Sequence, residues 1–118
     1  MVWVKNVSYS LELFQSIFLA DRELFDSLDI PGCYLLTNKR NGKAYVGQSE
    51  EVASRVRKHT MRSGYHDVTV DLRAGHPFHV DIFLFDPDVW KDLNEMERYY
   101  IDLFDTYKNG YNKTGGNW

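Results

Sequence analysis

The chain has 118 residues and a mass of 13.9 kDa, room for one hydrophobic core and not two. Hydrophobic residues at 43% and charged residues at 26% exclude disordered, collagen-like and coiled-coil chains, and no apolar run reaches the ~18 residues of a membrane span. The net charge of −3 argues against a general nucleic-acid binder, and the single cysteine, Cys33, excludes an internal disulfide or a cysteine-rich zinc site.

Met1-Val-Trp-Val-Lys-Asn6 has no basic region followed by an apolar stretch and a small-residue cleavage site, so a cytoplasmic protein is expected. From Leu11 to Leu28, Phe14, Ile17, Phe18, Leu24, Phe25 and Leu28 recur at the spacing of one helical face, opposite an acidic face of Glu12, Asp21, Glu23 and Asp26. Pro31-Gly32 breaks the pattern. Residues 32–37 and 43–48 read as strands joined at Asn41-Gly42. Ser49 is placed to cap a helix over about residues 50–63, with Glu50 and Glu51 in its first turn. A shorter helix is predicted near Asp67–Ala74, ending at Gly75. Phe78–Phe85 alternates like a half-buried strand, with Phe78, Val80, Ile82 and Leu84 on one side. Asp86-Pro87 then offers a cap and a first-turn proline for a long helix reaching about Tyr107, followed by a tail rich in Gly and Asn. These elements predict a small α/β (α+β) fold, a three-stranded antiparallel sheet flanked by helices. Two roles suit the N-terminal helix, a cover over the open edge of the sheet or a dimer seam, and the cover is the expectation.

Charge is unevenly spread. Between Asn38 and Arg62, seven basic residues against two acidic ones give +5, which leaves −8 for the rest of the chain. Such a segment can focus a polyanion on one face, although a solvated turn and an ordinary helix surface give the same count.

Side-chain direction is more informative. If Asn41-Gly42 is a two-residue turn, Arg40 pairs with Lys43, Tyr34 stands opposite Ser49, and Tyr34 and Tyr45 share one sheet face with Gly32 and Gly47. Any pairing with an odd sum of partner numbers gives the same face. Cys33, Leu35, Ala44 and Val46 then point the other way. Two tyrosines on one face are also what simple cross-strand packing would give. Arg55 and His59, at i and i+4 beside Val52 and Val56, are placed to grip a phosphate jointly or to lay their stems over apolar groups. In the last helix Glu97 falls among Leu93, Tyr100, Ile101 and Phe104, at the edge of the buried face. An unpaired charge there is costly, so a metal ion, a basic partner or a buried ion pair with an arginine is required.

Together these residues resemble the GIY-YIG nuclease domain. Its first tripeptide stands as Gly32-Cys33-Tyr34 and its second as Tyr45-Val46-Gly47, followed by Arg55, His59, Glu97 in Glu97-Arg-Tyr-Tyr-Ile101, and Asn112 in Asn109-Gly-Tyr-Asn112. The resemblance covers about residues 31–116, and the Thr-Gly-Gly run after Asn112 is similar to phage-type, intron-encoded homing endonuclease catalytic domains. It implies residues 1–30 as an N-terminal helical extension on a nuclease domain of residues 31–118. It further implies a DNA endonuclease using one divalent cation, Mg2+ or Mn2+, held by Glu97. Arg55 would contact the scissile phosphate and Tyr34 would act as general base. Tyr45 and His59 would complete the network, with Asn112 holding its geometry. Lys39, Arg40, Lys43, Arg57 and Lys58 are candidate contacts to the DNA backbone, and His66 lies near another histidine position of phage-type members. Cys33 replaces the usual isoleucine and faces the core, where it behaves as a small hydrophobe. The expected assembly is a monomer or homodimer, or the catalytic piece of a larger protein. The alternative is a catalytically silent module that binds nucleic acid or a protein.

Overall fold

The computed structural model describes residues 6–61 and 66–116. The elements run β1 (Asn6–Ser10), α1 (Leu11–Ala20), α2 (Arg22–Leu28), β2 (Gly32–Asn38), β3 (Ala44–Ser49), α3 (Val52–Met61), α4 (His66–Arg73), β4 (Phe78–Leu84) and α5 (Leu93–Leu103). The class is mixed α/β, but the antiparallel sheet has four strands, ordered β1-β4-β2-β3, where three were expected. The added strand is β1, which pairs Val7 with Ile82 and Tyr9 with Val80. Val7 and Tyr9 pack on the core while Ser8 and Ser10 are exposed, a period-two pattern too short to stand out in the sequence. The open edge beside β4 is thus taken by a strand, and the N-terminal helices lie on a face of the sheet.

The expected helix over 11–28 is two helices. Asp21 closes α1 through its N–H to the Ile17 carbonyl and opens α2 through its carboxylate, which accepts from Leu24 N–H. An acidic side chain able to satisfy an orphan amide competes with helix continuation at that point. The resulting bend brings Phe18 edge-on to Phe25, with ring centroids 5.0 Å apart.

The two sheet faces carry separate cores. On one, α1–α4 pack Phe14, Phe25, Val52, Val56 and Val68 against Tyr34, Leu36, Val80 and Ile82. On the other, Met96, Tyr100 and Ile101 of α5 cover Cys33, Leu35, Val46 and Phe83. Both β2 and β4 are therefore buried on two sides, and Phe83, Tyr100 and Phe104 stack nearly parallel.

The β2–β3 hairpin keeps the expected faces with a different register. Tyr34 pairs with Gly47, not Ser49, and Thr37 with Ala44. The turn is longer than two residues because the Asn38 side chain organises it: its Oδ1 accepts from the N–H groups of Arg40 and Asn41, and Gly42, at φ +80°, returns its N–H to the Asn38 carbonyl. The pairing sum stays odd, so both tyrosines remain on the α3 side.

Helix α5 is shorter than expected. Asp86-Pro87 opens only a turn, in which the Asp86 carbonyl accepts from Val89 and Trp90 N–H, and the true cap is Asp92, whose side chain accepts from Glu95 N–H. The helix stops at Phe104, and Asp105 follows at φ +52°. Ser49 does not cap α3 either: its hydroxyl accepts from Glu51 N–H, two residues on. Among the described residues, no helix is long and apolar enough to cross a membrane.

Candidate active site

Tyr34 lies at the centre of the arrangement because β2 aims it toward α3 and β3 leaves space for it. A Cβ on Gly47 would sit 2.3 Å from the Tyr34 hydroxyl, so only glycine lets the phenol cross the neighbouring strand. Gly32 has its own constraint, since a Cβ there would meet the Phe83 carbonyl oxygen at 2.5 Å.

Helix α3 presents its inner face to this phenol. Val52 and Val56 are fully buried, and the same stripe carries His59, 1% exposed, whose Nε2 lies 2.8 Å from the Tyr34 hydroxyl. The rings of Tyr34, Tyr45 and His59 form a triangle with centroids 5.3 to 6.2 Å apart. The Arg55 guanidinium lies against the Tyr34 phenol, where its charge and hydrogen bonding favour the phenolate. Burial acts more strongly in the opposite sense, and with the Tyr45 and Glu97 charges it holds Tyr34 well above the usual phenol range. Burial also pushes His59 down, to about 4, helped by the nearby Arg55 charge. At neutral pH both groups are uncharged, and in the tautomer that carries its proton on Nδ1 the imidazole Nε2 accepts from the phenol O–H.

Glu97 reaches this region from the other sheet face. Helix α5 packs on β3, the edge strand, and Glu97, 9% exposed, borders a cavity of about 280 Å3 together with Tyr45, Val46, Asn112 and Lys113. Asn112 forms the cavity wall by acting as a short strand partner: its side-chain oxygen accepts from Val46 N–H at 2.9 Å and its NH2 donates to Val46 C=O at 3.0 Å. The preceding Tyr111 N–H donates to the Ala44 carbonyl, so the tail covers the β3 edge. Tyr111 is itself held by Asp71 of α4, to which its hydroxyl donates, and by Asn38 of β2. A larger cavity of about 350 Å3 beside Asp102 and Lys108 contains none of the candidate side chains.

The candidate residues from the two tripeptides, α3, α5 and the tail thus gather around the Tyr45 end of β3. The candidate DNA contacts do not form one cluster. Lys39, Arg40 and Lys43 are exposed on the β2–β3 turn, while Lys58 is exposed and Arg57 half-buried on α3. The Arg57 guanidinium sits 3.7 Å over the Phe18 ring. His66 begins α4, and its side chain lies outside the described residues, as does Arg62. Sequence reasoning misses Lys113, which lines the cavity and pairs with Asp67 at 3.0 Å. Its adjacency to Asn112 is the only signal.

A model of the GIY-YIG catalytic domain matches residues 30–112. The chain belongs to the GIY-YIG family. Neither curated proteins nor solved structures give a match. GIY-YIG proteins are nucleases that act on DNA, and the match spans both tripeptides, α3, Glu97 and Asn112.

The donor set of this GIY-YIG site has a definite character. Among the described residues, no three His, Cys, Asp or Glu side chains come together. The cavity is bordered by one carboxylate, Glu97, with a phenol and an amide beside it, while the Lys113 ammonium on the same wall pairs with Asp67. A single hard oxygen donor with room for water fits an ion of the Mg2+ type, which keeps several waters and takes few protein ligands.

Proposed function

We propose that the protein is an endonuclease that hydrolyses phosphodiester bonds in DNA with the help of one divalent cation, Mg2+ or Mn2+. The observation that carries the reading is the meeting of the Tyr34–His59 pair and Arg55 with the Glu97 cavity at one end of β3. Spontaneous hydrolysis is so slow that the site must remove on the order of 20 kcal/mol of barrier. Glu97 holds the cation, which when bound supplies Lewis acidity toward the phosphoryl oxygens. Arg55 offsets charge developing on the phosphoryl group.

Tyr34 accepts a proton from the attacking water on its hydroxyl oxygen while passing its own proton to His59 Nε2. This relay keeps the phenol neutral throughout, which suits its buried setting better than a standing phenolate. The water oxygen forms the new bond to phosphorus as the bond to the leaving oxygen breaks, and the leaving oxygen takes its proton from solvent water. His59 ends protonated beside Arg55, and the negative charge of the phosphate monoester product compensates it. Tyr45 walls the site, and Asn112 fixes β3 without touching the reacting atoms. Lys39, Arg40, Lys43, Arg57 and Lys58 are read as backbone contacts, and the Thr114-Gly-Gly116 run supports a phage-type homing-endonuclease-like subtype.

The test is plasmid relaxation and linearisation with Mg2+, using the wild-type protein, Arg55→Ala and Tyr34→Phe. The expected result is cleavage by the wild type and loss of at least ~100-fold in rate for both variants. Equal rates in all three would remove these residues from the chemistry. Binding without cleavage by the wild type would favour a silent DNA-binding module.

A further inference from the structure

The amino terminus of α3, the helix that carries Arg55 and His59, is held by a residue lying before the family match at residues 30–112. That residue is Asp29, at the end of α2. Its Oδ1 accepts from the Ser54 N–H at 2.7 Å and its Oδ2 from the Ser54 hydroxyl at 2.6 Å. Next to it, the Ile30 carbonyl accepts from Val52 N–H at 3.1 Å. The first amides of a helix have no partner within it and are normally satisfied by a local cap. Here Ser49 is occupied by Glu51, so two of the orphan amides of α3 are satisfied instead by Asp29 and Ile30, just after α2. A carboxylate at this end also complements the helix dipole.

Geometry makes the clasp matter for chemistry. Ser54 immediately precedes Arg55, and His59 lies five residues further, about 7.5 Å along the axis at 1.5 Å per residue. A tilt of roughly 10° at Ser54 would carry His59 by about 1 Å over that lever arm. The Tyr34–His59 hydrogen bond is 2.8 Å long and would not survive such a shift. We propose that Asp29, acting through Ser54, is a positioning residue of the nuclease site: it fixes the tilt of α3 and so holds Arg55 and His59 against Tyr34, a role that rests on the function proposed above. The N-terminal segment is thereby part of the catalytic scaffold.

The experiment compares wild type, Asp29→Ala, Asp29→Asn and Ser54→Ala in two readouts. One is steady-state plasmid cleavage with Mg2+; the other is the NMR resonances of the His59 ring in metal-free protein. Asp29→Ala is expected to lower kcat roughly 10- to 100-fold with KM within about twofold, and to move the His59 resonances toward those of an exposed imidazole. Asp29→Asn keeps an acceptor for the Ser54 amide and can donate to its hydroxyl, so it recovers most of the lost kcat and the native resonances. Wild-type kcat and unmoved His59 resonances in folded Asp29→Ala would overturn the proposal, as would an Asn variant no better than Ala. Should Asp29→Ala fail to fold, Ser54→Ala keeps the backbone bond and decides in the same way, with a smaller loss expected and none contradicting the role. Absence of cleavage by the wild type would remove the nuclease reading, while the His59 resonances would still decide whether the clasp orients α3.

Discussion

At the scale of single residues, Tyr34 and His59 are legible as a pair only through their neighbours. The parity of the hairpin places both tyrosines on the α3 side, and the i, i+4 spacing puts His59 on the stripe below Arg55. That parity is insensitive to turn length, which is why the face holds although the partner of Tyr34 is Gly47 and not Ser49. Protonation states are not legible, because burial outweighs the guanidinium only once packing is known. A consequence follows for pH. An unfolded imidazole takes up a proton as pH falls through about 6.5, whereas folded His59 does so only near 4. The unfolded state therefore binds the extra proton within that window, and the His59 contribution is complete above about 6.5 and fades as pH falls toward 4. Denaturant titrations should show wild type losing roughly 3 kcal/mol more than His59→Phe across this range, and parallel losses in the two proteins would contradict it. Gly47→Ala probes the same pair sterically. Its methyl group displaces the phenol, so cleavage by folded protein should fall by ~100-fold; an unimpaired rate would mean that the phenol position is immaterial.

At the scale of elements, the misplaced helix starts share one cause: several polar side chains compete to cap each helix, and sequence does not rank them. Asp86 and Asp92 both suit the start of α5, and Asp92 holds it. Ser49 suits α3, yet Asp29 reaches it across 25 residues, a pairing invisible to local patterning. β1 is hard to see in the sequence because five residues carry little periodicity and its partner β4 begins only at Phe78. The tail is legible as to Asn112 but not as to its task. By satisfying both polar groups of Val46, Asn112 pins the edge of β3, where Tyr45 and Gly47 sit. Asn112→Asp keeps the acceptor but sets a carboxylate oxygen against the Val46 carbonyl. Chemical denaturation should report a loss of about 1–3 kcal/mol, together with reduced cleavage, and unaltered stability would show that the amide is not a clamp.

At the scale of the whole molecule, the family match at residues 30–112 and the hydrophobic core do not coincide. Leu11, Phe14, Ile17, Phe25 and Leu28 share one core with Tyr34, Val56 and Ile82, and β1 completes the sheet beside β4. Residues 31–118 alone should therefore show no cooperative thermal transition, and a sharp one in calorimetry would mean that the extension is a separate unit. The same integration places side chains from both sheet faces at one edge, with Glu97 arriving from α5 and the phenols from the α3 side. The proposed hydrolysis depends on that convergence. It is tested most directly by plasmid cleavage with Mg2+ in wild type against Glu97→Gln, which keeps the shape of the side chain and removes its charge. Cleavage by the wild type and a loss of at least ~1,000-fold in the variant are predicted, whereas a Glu97→Gln protein that cuts as fast as the wild type would contradict the account.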